Sequence, residues 1–236
     1  EIRLKTVDSS ALPGTQAQVP GTVTDLGTIN ATLAFSGVLL PTSPAAGVIA
    51  STDRGNLTLN LTAGIDEDAG SDYDTTDAGQ VGAITAVSRD GDVSLTLGVR
   101  NTGSSVGTVT LSTGSTWQSQ AGAADVEIAT GDITIVSAAL GTNAQSYGTV
   151  GPVNATTLGG GITLNGTFEN LGAVTLVADR YLDTDTAPGL NEAPVVLSAG
   201  QSITVATTVR GQHGTFRLTT LDDASAGGAA THPAPI

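Results

Sequence analysis

Hydrophobic and polar residues alternate along most of this chain, as in Val93-Ser94-Leu95-Thr96-Leu97 and Ile203-Thr204-Val205-Ala206-Thr207. A period of two buries one set of side chains and leaves the other in water, the pattern of a half-exposed β-strand. No stretch keeps the period of an amphipathic helix over a useful length. The alternation predicts strands over residues 1–8, 22–35, 56–62, 81–88, 92–100, 105–112, 124–129, 132–138, 162–168, 172–181, 194–198, 201–210 and 214–221. Leu57, Leu59 and Leu61 face inward in one of them; Ile29, Ala31, Leu33 and Phe35 share a face in another. Gly91, Gly131, Gly159-Gly160-Gly161, Gly172, Pro188-Gly189, Gly200 and Gly211 punctuate the strands. Asn101-Thr102-Gly103 is a hairpin signal between 92–100 and 105–112.

No tandem repeat is evident. Strands at this spacing predict an all-β fold, an Ig-like or jelly-roll sandwich with a tethered N-terminal strand. The breakers Pro13-Gly14 and Pro20-Gly21 make residues 9–21 a linker. The expected organisation is an N-terminal donor strand and linker over 1–21, a β-sandwich over 22–223, and an Ala/Gly/Pro-rich tail over 224–236. One elaborated sandwich is preferred to two sub-sandwiches.

Composition narrows the function. Eight basic residues stand against 22 acidic ones, a formal net charge of −14. Such a surface repels phosphates, so nucleic acid is not an expected partner. Asp outnumbers Glu 17 to 5 and Lys5 is the one lysine, a balance that resembles proteins of salt-loving archaea. With no Cys there is neither a disulfide framework nor a thiolate metal site. No apolar run is long enough to span a membrane. The absence of Met, even at position 1, is read as removal of a signal peptide, which places the protein outside the cell, at its surface.

No catalytic constellation is found, and the chain is not expected to be an enzyme. There is no Gly-x-Ser-x-Gly elbow, and only His213 and His232 could act as a base. His213 is expected in a hairpin turn between Gly211 and Gly214. Three percent aromatic residues leave little to line a sugar cleft. The acidic loop holding Asp66, Asp68, Asp72, Asp74 and Asp77 offers oxygen ligands of the kind Ca²⁺ prefers, although its spacing is not that of an EF-hand. Asp183, Asp185 and Glu192 form a lesser candidate, and Asp90 and Asp92 are read as a tight turn about Gly91. No cofactor other than Ca²⁺ is expected. Sequons at Asn30, Asn56, Asn60, Asn154 and Asn165 are candidate N-glycan sites; Asn30, Asn56, Asn60 and Asn165 are expected on the polar face of their strands.

Residues 1–8 are strand-like but tethered, so they can add to the edge of a neighbouring copy. Ile2, Leu4, Thr6 and Val7 are the expected subunit interface, and the partner is a further copy of the chain. Val93–Leu111 and Leu197–Val205 resemble strand motifs of secreted Ig-like domains found in camelysin/TasA-type biofilm fibre subunits and in archaeal thread and bundling-pilus subunits. That resemblance implies a jelly-roll-like sandwich whose N-terminal strand completes the next subunit. The expected function is therefore a secreted structural subunit that polymerises into an extracellular filament or pilus by strand donation. The alternatives are a jelly-roll viral coat or spike protein and a cell-envelope carbohydrate-binding module.

Overall fold

The computed structural model describes residues 1–5, 27–35, 45–53, 55–64, 78–100, 103–118, 126–129, 131–137, 148–158, 160–181 and 202–223. The strands form three sheets that are parallel throughout, wound as successive turns of a solenoid. This overturns the expected Ig-like or jelly-roll sandwich, whose sheets would be antiparallel.

Sheet I has seven strands: β1 (Ile2–Lys5), β3 (Val48–Thr52), β6 (Ile84–Ser88), β9 (Val109–Thr113), β14 (Val153–Leu158), β17 (Val174–Tyr181) and β19 (Phe216–Asp223). Sheet II has six: β2 (Ile29–Phe35), β4 (Leu57–Ala63), β7 (Val93–Val99), β12 (Ile133–Ser137), β15 (Ile162–Phe168) and β18 (Ile203–Val209). Sheet III is built from the short strands β5 (Gln80–Val81), β8 (Ser105–Val106), β13 (Thr149–Val150) and β16 (Asn170–Leu171). The chain visits sheets I, II and III in that order, then returns to sheet I one rung higher. The antiparallel pair among the described residues is the hairpin β10 (Ser115–Gln118) and β11 (Val126–Ala129), inserted between β9 and β12.

The expected hairpin across 92–112 is thus a corner sequence. β7, β8 and β9 lie in three different sheets and do not pair with one another. Alternation cannot distinguish the two folds, because a coil wall, like a sandwich wall, has one dry face and one wet face.

Strict register stacks like on like. Ile29, Leu57, Val93, Ile133, Ile162 and Ile203 form one inward column of sheet II. Ile2, Val48, Ile84, Val109, Val153, Val174 and Phe216 form the matching column of sheet I. Val81, Val106, Val150 and Leu171 close the interior from sheet III. Most of this core is aliphatic and fully buried, with Phe168 its largest ring.

Polar ladders fix the corner between sheets I and II. The Oδ1 of Asn56 accepts the Asp92 amide at 2.9 Å, the Oδ1 of Asp92 accepts the Asp132 amide at 2.9 Å, and the Oδ1 of Asp132 accepts the Gly161 amide at 2.7 Å. Behind them, buried hydroxyls at the ends of sheet I strands reach the corner carbonyl of the preceding rung. Thr52 donates to Gly27 at 3.0 Å, Ser88 to Gly55 at 2.8 Å and Thr157 to Gly131 at 2.6 Å; Thr113 donates to Gly91. Thr157 is fully buried. A Thr157→Val variant keeps the shape but leaves the Gly131 carbonyl short of a donor, so urea denaturation should show a loss of about 1–3 kcal/mol.

Candidate functional site

Among the described residues no three His, Cys, Asp or Glu side chains converge as metal ligands. Asp66, Asp68, Asp72, Asp74 and Asp77 lie outside the described residues, as do Asp183, Asp185, Glu192 and His232. Asp92, read as half of a tight turn, is a rung of the corner ladder.

His213 is not in a hairpin turn. It forms a parallel bridge with Leu171 and so continues sheet III by one position. Its exposed ring lies edge-on to Phe216, with centroids 6.5 Å apart, and its Nδ1 is 3.2 Å from the Gly214 carbonyl oxygen. A groove of about 620 Å³ opens there, lined in part by Thr149, Asn170, Gln212 and His213. None of its described lining residues is acidic, so among them the histidine has no carboxylate for paired acid–base work. Asn170 is already engaged, its Oδ1 accepting the Gln212 amide at 2.9 Å.

The sequon asparagines fall in two classes. Asn30, Asn60, Asn154 and Asn165 occupy outward positions of β2, β4, β14 and β15. Asn56 is exposed but holds the corner ladder through its side chain.

The ends of the coil are the most distinctive surfaces. Ile2 and Leu4 are half-buried and pack on the chain's own core, with β1 paired in parallel to β3. Thr6 and Val7 lie outside the described residues. The strand expected to seat in a neighbour is here the first strand of its own sheet, with no further strand beyond it among the described residues. At the opposite end β18 and β19 likewise present an outer edge. The exposed large hydrophobic residues, Val205 at 36% and Phe216 at 37%, both lie there, on inward columns that the described rungs leave uncovered.

Charge falls unevenly on the described strands. The outward positions of sheet II are Asn, Thr, Ser, Ala, Val and Gly, with no charged residue on any of its six strands. Sheet I carries outward Arg3, Lys5 and Arg217 on its two outermost strands. Arg3 pairs with Glu1, and Arg89 meets Asp53 at 3.3 Å.

Alternation of hydrophobic and polar residues gives no sign of the corner ladders or the open rungs. One signal for them was present: Gly-Asn or Gly-Asp followed by an aliphatic residue, at Gly55-Asn56-Leu57, Gly91-Asp92-Val93 and Gly131-Asp132-Ile133. The separations of 36 and 40 residues between the ladder positions are unequal, which hides the repeat. No helix among the described residues is long and apolar enough to cross a membrane. No protein-family model, curated protein or solved structure matches the chain.

Proposed function

We propose that this protein is a non-enzymatic structural subunit of an extracellular, cell-surface filament, and that it grows by strand addition at the open ends of its solenoid. The observation that carries this reading is the pair of unfinished end rungs. Among the described residues each offers strand edges with no neighbouring strand and a half-covered apolar column, a template for further strands. A contact between one end and the opposite end of the next copy is heterologous and does not close, so it generates filaments.

Sheet I reaches one rung further than sheet II at the β19 end, so sheet I makes the joint. Continuing the internal register sets β19 beside β1 of the next copy, Phe216 on its Ile2 and Leu218 on its Leu4. Strand addition through an edge replaces the exchange of residues 1–8 as the joining step. Arg217 then faces Arg3 of the next copy, and both bodies are strongly acidic. These repulsions are screened as the Debye length falls from about 10 Å at 0.1 M salt to about 3 Å at 1 M. Negative-stain microscopy across that range tests the reading: filaments that lengthen with salt support it, and isolated particles at every ionic strength refute it.

A further inference from the structure

We propose that the uncharged outer face of sheet II is a lateral interface that receives the same face of a second copy, so that filaments bundle. The inference rests on the filament reading for its biological setting, but the contact itself is between two bodies.

A chain with a net charge of −14 repels its own copies over most of its surface. The outward face of sheet II, by contrast, bears no charge across six strands. Among the described residues its margins are of opposite sign. Asp92 and Asp132 border the strand starts, while Arg100 and Arg210 border the strand ends, with Glu169 the one acid on that side among the described residues. A two-fold axis parallel to the solenoid axis reverses the strand direction of the second copy. It therefore sets the acidic margin of each copy against the basic margin of the other, at equal rung height. Arg100 and Asp92 flank the same strand, β7, so they meet across this axis.

In-register rungs repeat the outward side chains about every 4.8 Å, and two such sheets pack about 10 Å apart. Ladders of Thr and Asn on facing sheets can interdigitate as in a dry zipper. Six strands of about seven residues give a face on the order of 600 Å². That falls short of the roughly 800 Å² per partner of a stable complex. A single pair is therefore weak, and the contact becomes durable where filaments repeat it. Because the axis preserves the direction of each solenoid, bundled filaments run the same way.

Thr96 lies on the central outward row of β7 and meets its own counterpart across the proposed axis. The chain has no cysteine, so Thr96→Cys introduces a single thiol. Treated with a short bismaleimide in high salt, this variant should form covalent dimers about tenfold faster than Thr110→Cys, whose thiol is exposed on sheet I; that ratio corresponds to about 1.4 kcal/mol of preferred encounter. Equal or slower dimer formation by Thr96→Cys overturns the proposal. So does a glycan found by mass spectrometry on Asn60 or Asn165, which would stand on this face. Microscopy of the unmodified protein reads filament growth separately, so loss of the lateral contact and loss of the end-to-end joint give different results.

Discussion

A Gly91→Val variant should lose most of the stability of the fold. Gly91 turns the chain from sheet I into sheet II with φ +141°, a region closed to β-branched residues. A Cβ there would lie 2.5 Å from the Gly55 carbonyl oxygen and 2.8 Å from the Asn56 Oδ1. Neither atom can withdraw. The Gly55 carbonyl accepts the Ser88 hydroxyl, and the Asn56 oxygen accepts the Asp92 amide. Backbone strain alone costs about 1–3 kcal/mol. With rung-to-rung contact broken on top of it, a loss above about 4 kcal/mol is expected, in the range reserved for structural lesions. Chemical denaturation measures it. Gly103→Ala is the control: that glycine is exposed, and the nearest atom to an added Cβ is the Ala78 Cβ at 3.1 Å. Its cost should stay below about 1 kcal/mol.

Two substitutions on β19 should move assembly in opposite directions while leaving the monomer folded. Phe216 is 37% exposed on the outermost strand, so Phe216→Lys costs the monomer about 1–2 kcal/mol and leaves it folded. In the joint it replaces an apolar contact with Ile2 of the next copy by a charge on a strand edge, a device that blocks edge pairing. The joint would bury only the 37% of the ring still exposed, so the lost burial is about 0.5–1 kcal/mol, and the concentration at which filaments form should rise by about two- to fivefold. Arg217→Glu turns the like-charged meeting with Arg3 into an attraction, and filaments should then grow at low salt. Light scattering against concentration and ionic strength reads both. A joint made elsewhere would leave Phe216→Lys without effect and Arg217→Glu with the salt dependence of the parent.

The strands themselves were largely legible. Leu57–Ala63, Val93–Val99, Ile162–Phe168 and Ile203–Val209 fall where alternation places them. How they pair was not. Sheet III strands are two residues long, too short for any period, so Ser105–Val106 and Val109–Thr113 read as one strand although Gly107-Thr108 bends the chain between sheets. The same fusion joins Val81 to Ile84–Ser88 across Gly82. Val48–Thr52 and Val153–Leu158 lie between the segments predicted as strands, and both are inner strands of sheet I. Register in a coil is set by contacts between residues dozens of positions apart, such as Asp132 with Asp92, whose separation of 40 residues exceeds any local pattern. The surfaces proposed for assembly were legible in part. Residues 1–8 stood out as strand-like, and Ile2 and Leu4 do lie on an end rung. The uncharged face of sheet II emerges only once register brings Asn30, Thr58, Ser94, Thr134, Thr163 and Thr204 into one row.

Fibre diffraction from filaments aligned at high salt tests the joint and the coil together. Strands stacked rung upon rung along the filament should give a strong meridional reflection at about 4.8 Å. An arc of that spacing on the equator, or none, would show that the chain does not build its long axis from successive turns of one solenoid.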